Sequence, residues 1–131
     1  MSHVIHQEIT VDADCARVYQ ALTDAEEFGQ VTGGAVTLTA DAGSAFSLFG
    51  DHITGRNIEL VPNRRLVQAW RAASWPEGQY SIVQFQLEDG GGGVTTLVLD
   101  HTSFPEEAHD DLAAGWVKMY WEPLKQHLSS P

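Results

Sequence analysis

The sequence predicts an α+β fold in which a curved antiparallel sheet of about seven strands wraps around one long C-terminal helix, with two short helices after the first strand. Three observations carry this. Residues 105–128 place Leu112, Trp116, Tyr120, Leu124 and Leu128 in an unbroken i, i+4 row, with Ala113 and Val117 beside it, which is the helical period. From Gly33 to His101 the pattern changes to short alternating runs separated by turn residues. The turns are too short for helical crossovers, so the strands must pair as antiparallel hairpins.

Taken in order, His3–Val11 alternates, with Val4, His6, Glu8 and Thr10 on one side and Ile5, Gln7, Ile9 and Val11 on the other, as a first strand does. Asp12 and Asp14 offer N-cap oxygens to a helix running to about Leu22, whose Cys15, Val18, Tyr19 and Leu22 share a face. Thr23 with Glu26 three residues later has the capping-box spacing, and Phe28 anchors this second short helix before Gly29 ends it. Strands are expected at about 35–40, 45–49, 52–61, 66–71, 80–88 and 94–101. Between them, Asp41-Ala42-Gly43, Gly50-Asp51, Pro62-Asn63 and the run Asp89 to Gly93 supply turn chemistry. Pro105 and the two glutamates after it mark the start of the last helix. Pro123, lacking an N–H, predicts a bend near its far end.

Alternation assigns the faces. Phe46 and Leu48, then Leu66, Gln68 and Trp70, then Ser81, Val83, Phe85 and Leu87, and finally Thr95, Leu97, Leu99 and His101 fall on one side of their strands. Tyr80, Gln84, Gln86, Thr96 and Asp100 fall on the other. A sheet apolar on one face needs one cover, and the C-terminal helix is the only element long enough to provide it. A space left between the two layers would hold a small apolar ligand. Its walls would be Trp70, Phe85, Trp116 and Tyr120, with Phe46, Leu48, Leu97 and Leu99 around them. Gln68, Ser81, His101 and the Tyr120 hydroxyl would be its polar handles. The alternative is that these side chains pack against one another as core.

The 131 residues suffice for one domain, residues 1–131, with a core of its own. No apolar run approaches the ~18 residues a membrane helix needs, and the N-terminus has no signal-peptide pattern, so the cytoplasm is the expected compartment. A net charge of −11, from 7 Lys and Arg against 18 Asp and Glu, disfavours nucleic acid and anionic lipid and leaves a solvated surface or a basic protein partner. The single cysteine, Cys15, reads as a buried, inert thiol.

Six histidines, at 3, 6, 52, 101, 109 and 127, lack HxH, HxxxH or HExxH spacing, so no metal site is expected. Asp51-His52 and Asp100-His101 are neighbours on strands and point to opposite faces, so adjacency cannot make either pair a catalytic dyad. His101, on the inner face, reads as a hydrogen-bonded core histidine, with a ligand contact or a general base as the other readings. No GxSxG, P-loop or dinucleotide pattern occurs, and no cofactor is expected. Trp75-Pro76-Glu77-Gly78 forms a rigid turn whose Trp75 either lids the core or belongs to a cavity mouth or partner surface.

Several of these stretches together carry a family resemblance. Glu8-Ile9 leading into Val18-Tyr19-Gln20-Ala21-Leu22-Thr23, the run GDHITG at 50–55, Leu60-Val61-Pro62, Trp70-Arg71, Ser74 through Gly78, and Gly115-Trp116 before Tyr120 resemble the activator of heat-shock protein 90 ATPase family over nearly the whole chain. The likeness is to that family's C-terminal domain, within the helix-grip (SRPBCC, START-like) superfamily of lipid-transfer domains, plant allergen-like proteins and polyketide cyclases. It implies a helix-grip fold and, as partner, a chaperone or another protein. Function is therefore expected in the order apolar small-molecule binding, protein-interaction module, and a cyclase- or hydrolase-like enzyme using His101.

Overall fold

The computed structural model describes residues 4–33, 36–39, 41–49 and 52–129. Strand β1 (Val4–Val11) leads into helices α1 (Cys15–Thr23) and α2 (Ala25–Thr32), followed by β2 (Ala45–Leu48), β3 (Ile53–Val61), β4 (Arg65–Ala72), β5 (Ser81–Gly91) and β6 (Val94–Thr102). A short 3₁₀ turn (Glu106–Ala108) opens the C-terminal helix. That helix continues as α3 (His109–Gly115), a π-helical stretch (Trp116–Trp121) and α4 (Glu122–Ser129).

The strands form one antiparallel sheet in the order β1-β6-β5-β4-β3-β2, so every turn is a hairpin except the long return from β1 to β2. Six named strands stand where about seven were expected. Within 36–39, the described part of the expected 35–40 strand, pairing is a single bridge between Thr37 and Ser47; residues 35 and 40 lie outside the described residues, as do His3 and the Gly50-Asp51 turn. The Thr39 carbonyl is instead held by the side-chain amide of Asn57, which itself accepts from Gln68 Nε2 at 3.1 Å. Buried amides thus replace the strand ladder there.

The inner face has the composition that alternation assigns: all thirteen residues named for it, from Phe46 to His101, are buried. The five-residue loop expected after Glu88 is tighter than that. Strand β5 runs on to Gly91, and the hairpin turns at Gly92 and Gly93, both with positive φ as a two-residue primed turn demands. Glycine is also obligatory at Gly55 of β3, where a Cβ would lie 1.9 Å from the Ala69 carbonyl oxygen and 2.7 Å from Phe46 Cζ.

Two boundaries of α2 differ from the expectation. The cap is Asp24, whose carboxylate accepts from Glu27 N–H at 3.0 Å, while the Thr23 hydroxyl turns back to donate to the Tyr19 carbonyl. A carboxylate one residue further on outcompetes a hydroxyl already used inside α1. The helix passes through Gly29 and stops at Gly33, which takes the left-handed conformation (φ 75°) at the C-cap.

The C-terminal helix departs most from a regular α-helix, and Pro123 supplies the reason. Its ring needs room at the carbonyl one turn earlier and it has no N–H to give, and the turn before it is widened, with Glu122 N–H donating to the Val117 carbonyl five residues back. In a regular helix Trp121 would point about 140° away from Trp116. The widened turn brings both into the core, where their rings stack at 5.5 Å, and leaves Val117 exposed. Gln7 of β1 secures the arrangement: its amide oxygen accepts from Trp121 Nε1 at 2.6 Å and its Nε2 donates to the Ala113 carbonyl.

Helices α1, α2 and α4 meet at one carboxylate. Glu27, 8% exposed, pairs with the Arg17 guanidinium and with His127 Nε2, the latter at 2.8 Å. Removing the charge leaves two donors facing an amide. Glu27→Gln is therefore expected to lower stability by about 1–2 kcal/mol, discounted because Arg17 is partly exposed; an unchanged urea midpoint would show the cluster to be energetically neutral.

Candidate functional site

Around His101 of β6, where Trp116 reaches the sheet, the layers are closed. His101 is fully buried there, and its hydrogen bonds fix its tautomer. Trp116 Nε1–H can only donate, so it donates to Nδ1 at 3.0 Å; the ring proton then sits on Nε2 and is given to Ser81 Oγ at 2.7 Å. The Ser81 hydroxyl passes its own proton to the Trp70 carbonyl at 3.1 Å. Every donor and lone pair on the ring is used. Burial lowers its pKa to about 3, so the ring is neutral across the physiological range. A neutral histidine with no free nitrogen, edge-on to Trp70, Phe104 and Trp116, is a structural core group.

Of the other expected site residues, Phe46, Leu97 and Leu99 are buried core, and Ser81 serves His101. Leu48, Gln68, Phe85 and Tyr120 border a void of about 10 Å³, too small for a ligand. Gln68 spends its amide on Asn57.

Trp70, Trp116 and Tyr120 come together differently. They form the floor of a cavity of about 340 Å³ that opens beside the first half of the C-terminal helix. One wall is a helical stripe: Ala108, Leu112, Gly115 and Met119 follow at steps of four, three and four. Opposite lie Phe49, Ile53, Ala72 and Trp75, from the ends of β2, β3 and β4 and the loop after them, with His52, Ser74 and Asp111 also lining it. The rings make a continuous arc with centroid separations of 5.9 Å (Phe49–Tyr120), 4.4 Å (Tyr120–Trp116), 5.5 Å (Trp116–Trp70) and 6.2 Å (Trp70–Trp75).

Trp75 holds its place because Arg71 staples the loop, its guanidinium donating to the carbonyls of Trp75 at 3.2 Å and Pro76 at 2.8 Å. Closing the core and lining a cavity mouth are one position for this ring. The Trp70 indole N–H is buried without a well-formed hydrogen bond; it acts on the Tyr120 hydroxyl, whose pKa is held above its ordinary value by burial, the larger effect, against a smaller lowering from Trp70.

Gly115 adds to the open space of the cavity. A glycine inside a helix costs about 1 kcal/mol relative to alanine, yet a Cβ built here would meet nothing within 4 Å. The missing side chain is empty space on the cavity wall. Sequence reasoning passed over Gly115, Leu112 and Met119 as site residues because the row Leu112–Trp116–Tyr120 dominates the helical pattern. A second stripe, two residues of which are small, runs alongside it and could have been found.

Other polar clusters are of a different kind. On the outer face, His6 Nδ1 faces Asp100 at 2.6 Å and Nε2 faces Glu8 at 2.8 Å, which raises its pKa, the Asp100 hydrogen bond contributing most. Both nitrogens are used, and among the described residues no group of three or more His, Cys, Asp and Glu is disposed to hold a metal ion. No helix among the described residues is long and apolar enough to cross a membrane.

Comparison with known proteins agrees with this architecture. The human activator of 90 kDa heat shock protein ATPase homolog 1 is 30% identical over 109 residues, which are 83% of this chain and 32% of the relative, so the chain spans about a third of that protein's length. Among solved structures, an HSP90 activator from Plasmodium falciparum superposes with a TM-score of 0.93 at 21% identity, covering 99% of both chains. The Aha1 dimer from Colwellia psychrerythraea gives 0.81 at 21% identity over 95% of each. These likenesses establish the helix-grip fold, that of a protein-interaction or ligand-binding module. The family model described as "Activator of Hsp90 ATPase homolog 1-like protein" matches residues 12–129, and the chain belongs to that family.

Proposed function

We propose that the domain binds an apolar small molecule in the cavity between α3, the π turn and the ends of β2–β4. The observation that carries this reading is the space at Gly115: a helix-interior glycine lines a cavity of about 340 Å³, and a Cβ placed there would meet nothing within 4 Å. The volume lies within the usual range for ligand pockets, roughly 300–1,000 Å³. Trp70, Trp116 and Tyr120, expected from the sequence, form its floor; Phe46, Leu48, Gln68, Ser81, Phe85, Leu97, Leu99 and His101, expected with them, are not among its lining residues. Three of the four tryptophans line the cavity, so occupancy has an optical signal. The neutral dye N-phenyl-1-naphthylamine is expected to bind saturably at one site and to quench tryptophan emission. A linear, unsaturable response would remove the reading.

A second reading rests on the family match and the 30% identity to the human activator. In it the domain touches a 90-kDa heat-shock protein in the cytoplasm and raises its ATPase rate. Addition of the domain to the host's own chaperone decides this: unchanged turnover with no retained complex counts against it.

A further inference from the structure

The geometry points to an organic cation on an apolar body, such as a quaternary ammonium, as the class of ligand the cavity takes; this rests on the small-molecule reading above. Two independent features carry it. First, the floor and one wall are five aromatic rings in an unbroken arc from Phe49 to Trp75. Aromatic faces carry negative electrostatic potential and attract cations, tryptophan most of all; Trp116 is stacked between Trp70 and Trp121, so the rings with a face left to offer are Phe49, Trp70, Trp75 and Tyr120. Second, the only carboxylate on the lining is Asp111, and no Lys or Arg is among the lining residues.

The charge of the mouth follows from its surroundings. The helix start beside the cavity carries Glu106, Glu107, Asp110 and Asp111 within six residues and no Lys or Arg, against the Arg71 guanidinium that holds the Trp75 loop. The N-terminal end of a helix contributes roughly +0.5 charge, which four carboxylates outweigh. The chain as a whole, at −11, adds a long-range field of the same sign. An anionic ligand would approach against this field and find no counter-ion on the lining, while a neutral one would gain burial alone. A cation gains burial, the ring faces and Asp111 together.

Three probes of one shape separate these cases. Benzyltrimethylammonium, its neutral isostere neopentylbenzene and the anion benzylsulfonate are titrated into the intact chain, followed by tryptophan emission. The cation is expected to bind at least tenfold more tightly than neopentylbenzene, and benzylsulfonate not to saturate. Asp111→Asn, at a solvent-exposed position of the first helical turn, should weaken the cation three- to tenfold and leave neopentylbenzene unchanged. Raising the salt should weaken the cation selectively. If neopentylbenzene binds as tightly as the cation, the cation preference is overturned while the small-molecule reading stands; if Asp111→Asn leaves the cation's affinity unaltered, the carboxylate half of the proposal is overturned. If no probe saturates, both fall.

Discussion

Between pH 6.5 and pH 3 the protein is expected to lose on the order of 4 kcal/mol of stability through His101 alone. The folded ring holds its pKa near 3 because it is buried, whereas in the unfolded chain it titrates at its ordinary 6.5. Below 6.5 the unfolded state therefore binds a proton that the folded state refuses. The stability present above that pH drains away as pH falls toward the folded value. His6 acts in the opposite sense, since its raised pKa adds stability at low pH that is lost as pH climbs through it, but it lies in solvent and its partners are screened. His101→Phe isolates the effect. The phenyl ring fills most of the space and cannot titrate, yet it leaves the Trp116 N–H unpaired, at a cost of about 1–3 kcal/mol at pH 7. The two stability curves should converge on acidification, with a difference in slope approaching one proton, about 1.4 kcal/mol per pH unit. Urea midpoints measured every half unit from pH 7.5 to 4 give this directly. Parallel curves would mean that His101 is not buried neutral.

The same residue shows how far a sequence carries an argument of this kind. Period-two alternation placed His101 on the inner face with Leu97 and Leu99, and that placement holds because one buried face leaves a strand no freedom of register. Its role could not be read there, since its partners Ser81 and Trp116 lie on other elements and their approach depends on sheet register and helix rotation. The site was legible to the same degree. Trp70, Trp116 and Tyr120 point inward by periodicity alone, but which inward residues border space and which border each other is decided by packing. Phe85 packs on Trp116, Tyr120 and Trp121 and borders only a void of about 10 Å³, whereas Trp70, stacked on Trp116, also borders the larger cavity. The π turn was hidden for a related reason. Pro123 marks a disturbance, but periodicity assumes a constant turn and so leaves Trp121 off the buried row and puts Val117 beside it.

Filling the gap at Gly115 should therefore separate binding from stability, which most core substitutions cannot do. Leucine at this position removes the backbone entropy cost of a helix-interior glycine and gains contact with the rings across the cavity. Gly115→Leu is expected to unfold at the same or a higher temperature than the parent. It should also weaken N-phenyl-1-naphthylamine at least tenfold, about 1.4 kcal/mol or more. Gly115→Ala marks the lower end of the series: its Cβ meets nothing within 4 Å, so it should add roughly 0.5–1 kcal/mol to stability with little loss of binding. The pairing of outcomes is the test. Unfolding of Gly115→Leu would show that the space is needed for packing and not for a ligand. Undiminished dye binding in a well-folded Gly115→Leu would move the site elsewhere. Weaker binding in a more stable protein would mean that the glycine costs the helix stability and keeps the cavity open for the dye.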